Sequence, residues 1–421
     1  MTTTEDLTPM STPAADPAQV QPEHFPWLPI VVLGFTWFLA VAIELSPAGL
    51  LGAIAADLDV SVVAVGTMTT CYALGNALLV LPLTALAIRF ARRTALNVVM
   101  IVFVASNLAV ALAPDLTLAD LGRFVGGASY AVICTLFPAV VIRIAGPRYA
   151  GKAITVVFTA TALGAALGAP LGSLIGNTFG WRVTFLSAAG LAAVAGVLMS
   201  FLVPKIRVEV HKPLSLRQTA RQPGVLRVAV GWSLVMLAHF VVLTYIEAYL
   251  GVVGLPTSMT SLTLLLLGVG GIVGTLFIGR ISSRSVPAAL VVAPCVVAAG
   301  LTVLLLGGSH LAVVLTGIAL WGIGMAATVV VYQQAVLLTG HRAPETATSI
   351  GVLLAQAGFA AGATVGGATI SVLSVGAIPL VGLAFVAGSI IIATTLRRVV
   401  NRAGEDAAAA TEGRERTNET S

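Results

Sequence analysis

Charged side chains are scarce along this chain of 421 residues, and their scarcity excludes most kinds of soluble protein. Asp, Glu, Lys and Arg make up 9% of the residues, hydrophobic residues make up 58%, and the mean hydropathy is +1.02. A typical soluble domain carries about 25% charged residues. A soluble fold of this composition would expose a large apolar surface to water, so the composition predicts a membrane protein.

Aromatic residues and cysteines are also few. Aromatic residues make up 6% of the chain and there are three cysteines, against 43 glycines. Small side chains let helices in lipid approach one another closely. Cys71, Cys134 and Cys295 all lie in apolar stretches without the spacing of metal ligands, so we expect inert packing residues.

The signatures of catalysis are missing as well. The sequence contains no HExxH or GxSxG pattern. Residues 146–153 begin like a phosphate-binding loop, but Ala153 stands where a magnesium-binding Ser or Thr is required. We therefore expect no enzymatic activity, no cofactor, no metal site and no nucleic-acid partner.

Long apolar runs dominate what remains. A hydrocarbon core of ~30 Å needs about 20 apolar residues per helix. Twelve runs of this kind cover residues 28–51, 64–87, 95–113, 119–142, 154–177, 183–203, 228–251, 259–279, 286–306, 311–336, 346–373 and 377–396. The sequence predicts an all-α membrane protein with twelve transmembrane helices in two six-helix, pseudo-symmetric bundles.

Polar segments divide the chain around these runs. The predicted units are a disordered cytoplasmic N-terminal tail (1–27), an N-terminal six-helix bundle (28–203), a basic cytoplasmic linker (204–227), a C-terminal six-helix bundle (228–396) and a cytoplasmic C-terminal tail (397–421). The tail composition after Val400, rich in Ala, Glu and Arg, is also interpreted as disordered.

The distribution of basic residues predicts the topology. Lys and Arg of short loops stay on the cytoplasmic side. If the N-terminus is cytoplasmic, all Lys and Arg residues except Arg123 and Arg182 fall on the cytoplasmic side, whereas Asp57, Asp59, Asp115 and Asp120 fall on the outer side. We expect a multi-pass protein of the plasma membrane with both termini cytoplasmic and the lipid bilayer as its surroundings.

Three ionisable residues within the apolar runs are candidates for proton coupling. A charge at the membrane centre costs about 2.5 to 3.5 kcal/mol on insertion scales, so such residues are functional candidates. Glu44 is the strongest, because an apolar surrounding favours the neutral carboxyl and lets it exchange a proton near neutral pH. Glu247 and Arg123 are the others. The alternatives are a structural carboxyl, a solvated interfacial carboxylate and a snorkelling arginine, respectively.

Two further sets of residues are assigned from their type and spacing. The polar residues predicted to line a substrate cavity are Asn76, His239, Tyr245, Tyr332, Gln333 and Gln356. The residues predicted to act in gating or close helix packing on the fifth helix are Gly164, Gly168, Pro170, Gly172 and Gly176. Four-residue spacing places these glycines on one face, so packing and gating are both open interpretations.

Several segments resemble the major facilitator superfamily, and within it the twelve-helix proton antiporters of the arabinose- and chloramphenicol-efflux type. The likeness covers about residues 28–396 and is most specific in residues 44–51, 57–61, 123–127, 168–172, 180–182 and 244–250. The resemblance implies that the Arg123 segment is the proton-relay motif and that residues 168–172 are the antiporter motif of exporters.

The loop after the second helix departs from the family pattern. Arg89, Arg92 and Arg93 keep its basic residues, and we expect them to act in gating or helix packing. Ile88 stands at the acidic position, and Ser283 does so in the related loop after the eighth helix. The carboxylate that usually engages neighbouring helix ends is absent from both loops. The resemblance therefore implies a duplicated architecture with an altered inner latch.

The expected function is secondary active transport by alternating access. We expect proton-coupled efflux of a small amphipathic molecule, a drug or antibiotic or a sugar, by a monomer that confers drug resistance. Glu44 is the predicted proton carrier, Arg123 its electrostatic partner and Glu247 a second acidic site. The alternatives are a proton-independent facilitator or importer of a small metabolite, and a membrane sensor that transports nothing.

Overall fold

The computed structural model describes residues 23–87, 89–203, 216–256, 259–308, 310–341 and 343–419. Within this part of the chain, twelve helices are long and apolar enough to cross a membrane, which confirms the predicted fold class. They are α1 (Trp27–Leu45), α2 (Thr67–Ala87), α3 (Arg92–Ala111), α4 (Leu116–Gly146), α5 (Arg148–Phe179), α6 (Trp181–Leu202), α7 (Val225–Leu243), α8 (Thr260–Ser282), α9 (Val286–Leu306), α10 (Leu311–Thr339), α11 (Pro344–Val372) and α12 (Ile378–Glu419).

Short helices lie between the spans. They are the 3-10 helices Ser46–Gly49 and Val375–Ala377 and the α-helices Leu51–Leu58, Val62–Val65, Leu216–Ala220 and Ile246–Val252. The charge pattern predicts that the end carrying Leu51–Leu58 and Ile246–Val252 is extracellular, and we call it the outer end.

The C-terminal tail differs from the expectation. The backbone of α12 is helical through Glu419, whereas the sequence analysis expected disorder after Val400. Ala, Glu and Arg are among the strongest helix formers, so this composition favours continuation of the helix. The predicted N-terminal tail up to residue 22 and the linker residues 204–215 lie outside the described residues.

Two spans end earlier than the apolar runs predict. Helix α1 ends at Leu45, within the apolar run 28–51, because Pro47 has no N–H with which to continue the α-helical hydrogen bonds. The run 228–251 contains the end of α7 at Leu243, followed by a turn at Tyr245. Each bundle therefore begins with a helix that is interrupted near the outer end.

The two halves repeat the same close helix contact. Gly164, Gly168, Gly172 and Gly176 of α5 all face the first helix or its outer extension. A Cβ atom added at Gly164 would lie 2.6 Å from the Phe38 carbonyl oxygen of α1, and one added at Gly362 of α11 would lie 2.5 Å from the Leu237 carbonyl oxygen of α7. Glycine thus allows the backbones of α1 and α5, and of α7 and α11, to touch.

Two helix pairs, α2 with α11 and α5 with α8, form hydrogen bonds between the bundles. Thr70 of α2 and Thr364 of α11 share a hydrogen bond of 3.2 Å between their hydroxyl oxygens. The Ser261 hydroxyl at the start of α8 donates to the Ser173 hydroxyl oxygen of α5 at 3.0 Å. These hydrogen bonds lie in the outer half of the molecule, so the two bundles are joined there.

Candidate functional site

The proline that ends α1 also creates the binding site for Arg123. Pro47 leaves the Ile43 carbonyl without its α-helical donor, and the Ser46 hydroxyl donates to that oxygen at 3.0 Å. The Arg123 Nη1 donates to the same oxygen at 2.8 Å, and its Nη2 donates to the Glu44 carbonyl oxygen at 2.9 Å. A guanidinium of α4 thereby replaces the missing backbone donors of α1.

Arg123 is fixed on its other sides as well. Its Nε donates to the Met68 carbonyl oxygen of α2 at 3.2 Å, and its guanidinium carbon lies 4.1 Å from the ring centre of Tyr72. Arg123 is 2% exposed. A buried charge is tolerated where hydrogen bonds and an aromatic face replace its hydration. This arrangement rules out snorkelling as the role of Arg123.

The Glu44 carboxylate lies between the bundles. Glu44 is 7% exposed, and the Gln356 amide of α11 donates to its Oε1 over a long distance of 3.5 Å. The Tyr130 hydroxyl of α4 also lies at this carboxylate. The hydrogen bonds of Arg123 in the described part of the chain go to main-chain oxygens, that of Glu44 among them. The predicted pairing of the two residues is therefore backbone binding plus charge proximity rather than a salt bridge.

A small cavity adjoins this carboxylate, with room for about one water molecule. It is lined by Glu44, Leu45, Ala48, Thr69, Phe240, Leu243 and Thr244. Because α1, α2 and α7 all contribute, the cavity lies at the boundary between the two bundles. The Glu44 carboxyl group therefore lies at the boundary between the two bundles.

The sequence analysis missed Tyr130. It lies two helical turns after Arg123 on α4, and the interval of seven residues places both on the same face. A search of the Arg123 face for polar side chains would have found it. The partner helix could not have been identified in this way, because the approach of Gln356 depends on the packing of α11.

Glu247 lies away from Glu44. It sits in the short helix Ile246–Val252, and its carboxylate accepts from the Gly52 N–H at 3.2 Å, at the start of helix Leu51–Leu58. A carboxylate is favourable at this position because unpaired N–H groups point out of a helix N-terminus. Glu247 therefore joins the outer ends of the two bundles, and its predicted role in proton coupling stays a prediction.

Two segments that carry the family resemblance meet at the outer end. The Trp181 indole N–H donates to the Asp57 carboxylate at 3.1 Å, and Arg182 forms an ion pair with the same carboxylate. Arg182 also donates to the Ala113 carbonyl oxygen at 2.9 Å. The sequence analysis had placed Asp57 and Arg182 on the same side of the membrane, and the structure pairs them.

The predicted cavity residues occupy different places. The Tyr245 hydroxyl donates to the Ala363 carbonyl oxygen at 3.1 Å, and the Tyr332 and Ser389 hydroxyls share a bond of 2.7 Å within the C-terminal bundle. His239 packs between the rings of Phe240 and Trp321. Asn76 is buried where α2 meets α4. Gln333 is exposed on α10. Among the predicted set, Gln356 is the residue that the structure brings to Glu44.

The loop after α2 and the related loop after α8 lack the acid of the family pattern. Arg92 is buried, and its Nε and Nη1 have no hydrogen-bond partner within the described chain. The Ser283 hydroxyl donates to the Arg280 carbonyl oxygen of its own helix at 3.0 Å. Arg89 is exposed and Arg93 half-buried, and position 88 lies outside the described residues.

Known proteins match this sequence over most of its length. The family model of the Major Facilitator Superfamily matches residues 27–363. Chloramphenicol efflux pumps from two strains of Mycobacterium tuberculosis, CDC 1551 / Oshkosh and ATCC 25618, are each 30% identical over 358 residues, which is 81% of this chain and 87% of each relative.

Solved transporters have a similar fold. A bacterial homologue of the human lysosomal transporter Spinster, in an inward-facing conformation, aligns with a TM-score of 0.63 and 14% identity over 90% of this chain and 96% of that protein. A mutant of the nucleoside transporter NupG aligns with a TM-score of 0.69 and 13% identity over 87% and 98%. Sequence and fold together show that this chain is a multi-pass membrane transporter of the Major Facilitator Superfamily.

Proposed function

We propose that this chain is a proton-driven exporter of small amphipathic molecules. One observation carries the proposal: a buried carboxylate, Glu44, lies at the boundary of the two bundles, beside a buried arginine, and contacts Gln356 of the opposite bundle. An ionisable group inside the membrane is costly and is kept where it binds an ion or substrate. Its place between the bundles lets its proton influence their movement.

The hydrogen bonds of Glu44 suggest how proton binding and movement are linked. An ionised carboxylate accepts hydrogen bonds that are roughly twice as strong as those of a neutral group. Proton uptake by Glu44 therefore weakens its contacts with Gln356 and Tyr130. A group that binds its proton differently in two conformations shifts the equilibrium between them, as alternating access requires.

The first substrate class to test is the phenicol antibiotics. The relatives that are 30% identical over 81% of this chain are named chloramphenicol efflux pumps. Phe240, Leu243 and Tyr130 provide apolar and aromatic surface close to Glu44, which suits an amphipathic molecule with few charges. Sugars and nucleosides are the classes to test next.

The cellular arrangement is part of the same proposal. The concentration of Lys and Arg in alternate loops supports a plasma-membrane protein with both termini in the cytoplasm. On this topology, Glu247 and the helix that it caps face the outside, and the basic loop after α2 faces the cytoplasm. We propose that a monomer carries out transport and confers resistance to its substrate.

Proton flux in proteoliposomes with an inward pH gradient tests this function. In the wild type, addition of chloramphenicol should dissipate the gradient. Glu44→Gln should abolish this proton flux while keeping chloramphenicol exchange in the absence of a gradient. Asp59→Asn is the matched control, because it removes an outer-end carboxylate charge and Asn tolerates the left-handed backbone of Asp59, which has φ 53°.

Each other outcome contradicts a part of the proposal. If the wild type and Glu44→Gln dissipate the gradient equally, Glu44 is not the proton carrier. If the wild type exchanges chloramphenicol but moves no protons with it, the protein is a facilitator. If none of the phenicols, sugars and nucleosides moves, the protein has a different cargo or acts as a sensor.

A further inference from the structure

A second carboxylate, Asp120, approaches Arg123 from the outer end. It lies one helical turn before Arg123 on α4, and residues three apart on a helix face the same side. The Thr67 hydroxyl of α2 donates to its Oδ2 at 2.7 Å. Its Oδ1 is shielded from solvent and has no hydrogen-bond partner in the described part of the chain.

Two consecutive residues of α2, Thr67 and Met68, bind Asp120 and Arg123, respectively. Thr67 binds the Asp120 carboxylate through its hydroxyl, and Met68 accepts from Arg123 Nε at 3.2 Å. The charges of both Glu44 and Asp120 act on Arg123. The guanidinium, bound at the Glu44 main chain, is therefore shared by two carboxylates, Glu44 towards the bundle boundary and Asp120 towards the outer end.

Few other titratable groups act on Asp120. On α2 the neighbouring group is the Cys71 thiol, and on α4 it is Arg123 itself. The α3 side is closed by the packing of Gly122 against Ser106 and Val110, which carry no charge. Arg123 is thus the charged group that acts on Asp120, in addition to burial and the Thr67 hydrogen bond.

We propose that Asp120 is a positioning residue that shares Arg123 with Glu44 and so sets the external pH at which Glu44 takes up its proton. The proposal rests on the proton-coupled function described above. With Asp120 ionised, the three groups carry a net charge of −1 when Glu44 is ionised (+1 − 1 − 1) and zero when it is protonated. Asp120 therefore favours the proton on Glu44. Without its charge, Arg123 and ionised Glu44 form a neutral pair, and the proton is released more readily.

Efflux from right-side-out membrane vesicles preloaded with radiolabelled chloramphenicol tests this role, with the external pH varied. Asp120→Asn keeps an acceptor for Thr67 and removes the charge. We expect the external pH of half-maximal efflux to become more acidic by up to about 1 unit, the low end of the shifts that an adjacent charge causes, because Arg123 lies between the two carboxylates. Chloramphenicol exchange without a pH gradient should stay at the wild-type rate.

Two variants control the experiment. Asp115→Asn removes a carboxylate charge from the same end of α4, where Asp115 accepts from the Leu118 N–H at 2.9 Å and Asn caps a helix equally well, so its pH profile should match the wild type. Asp120→Glu keeps the charge and should keep the wild-type profile.

The outcomes separate this proposal from the proposed function. If efflux in the wild type is independent of external pH, proton coupling itself is wrong. If Glu44→Gln removes proton-driven efflux while Asp120→Asn keeps the wild-type profile, the role of Asp120 alone is wrong. The role of Asp120 would also be wrong if Asp115→Asn or Asp120→Glu shifted the external pH of half-maximal efflux as much as Asp120→Asn does.

Discussion

The two halves of this transporter share their packing and differ in their chemistry. Gly122 of α4 packs on the Ser106 carbonyl, and Gly317 of α10 packs on the Gly300 carbonyl. Gly127 and Gly322 of the same helices touch the Tyr72 and Leu267 carbonyls, respectively. With α4 and α10 aligned by these glycines, Arg123 corresponds to Ile318, which is 1% exposed.

The first helices of the halves show the same difference. The glycine contacts of α5 at Phe38 and of α11 at Leu237 align α1 with α7, and Glu44 then corresponds to Leu243. Leu243 lines the same small cavity as Glu44. The N-terminal half thus supplies the acid and the arginine, and the C-terminal half supplies an apolar wall and one amide, Gln356. The two halves share the scaffold, and within the described residues the N-terminal half carries the ionisable pair.

The largest effect is expected from removing Arg123. Arg123→Leu removes the guanidinium donors of the Ile43 and Glu44 carbonyls, of which Ile43 keeps the Ser46 hydroxyl, and a buried group left unsatisfied costs about 1 to 3 kcal/mol. We expect a destabilisation of about 3 to 5 kcal/mol and loss of transport. The corresponding change in the other half, Ile318→Leu, should cost less than about 1.5 kcal/mol. Thermal unfolding in detergent and chloramphenicol exchange are measured for both variants. Equal losses of stability and transport in the two variants would contradict the difference between the halves.

A smaller loss of stability is expected at the glycine contacts that the halves share, and it should be the same in both halves. A Cβ added at Gly362 would meet the Leu237 carbonyl oxygen at 2.5 Å, and one added at Gly164 would meet the Phe38 carbonyl oxygen at 2.6 Å. Gly164→Ala and Gly362→Ala should each lower stability by about 1 to 3 kcal/mol. Gly190 of α6 has open space around it, so Gly190→Ala is the control and should be neutral or slightly stabilising. Unequal melting temperatures for the first two variants would contradict equivalent packing.

The smallest effect concerns the outer end, where Glu247 of one half caps a helix of the other. Burial raises the pKa of the Glu247 carboxyl above its ordinary value of 4.5, and the amides of Gly52 and Leu51 oppose this shift. If opening returns the carboxyl to water, the closed outer end binds the proton more tightly. Its contribution to closure is then complete below about 4.5 and is lost as pH rises through the raised pKa.

Cysteine labelling from outside measures this dependence. The reporter is Thr244→Cys in the cavity between the bundles, with the three native cysteines replaced by Ala and with Glu44→Gln present to remove its titration. Labelling by an impermeant maleimide, corrected for thiol reactivity with an exposed cysteine, should slow as external pH falls. Adding Glu247→Gln should remove this dependence. A dependence that persists in that variant would show that another group controls outer closure.

Much of the fold follows from the sequence, because long apolar runs and the distribution of Arg and Lys are properties of single segments. Glu44 and Arg123 stand out for the same reason, since a charge within an apolar run needs no partner to be noticed. The contacts of these residues do not follow from single segments. Gln356 reaches Glu44 only because α11 packs beside α2, and Asp120, which the sequence places only on the outer side, contacts Thr67 because α4 packs against α2.

The boundary of α7 shows a second limit. Residues 228–251 form one apolar run, and hydropathy does not reveal the turn at Tyr245. That turn is accompanied by tertiary packing, since the Tyr245 ring lies against Gly366 and its hydroxyl against Gly367 of α11. The position of Glu247 relative to the membrane changes with this turn, which is why its depth could not be obtained by counting residues along a continuous helix.

The binding of Arg123 to main-chain oxygens has a consequence for how such a transporter can evolve. Its hydrogen bonds to Ile43 and Glu44 use backbone carbonyls, so they do not depend on which side chain occupies position 44. A single codon change there can remove the acid while the arginine keeps its anchorage and α1 keeps its shape. On the proposed mechanism, descendants of this chain can exchange a driven pump for a passive carrier in one mutational step, without first having to rebuild the protein around it.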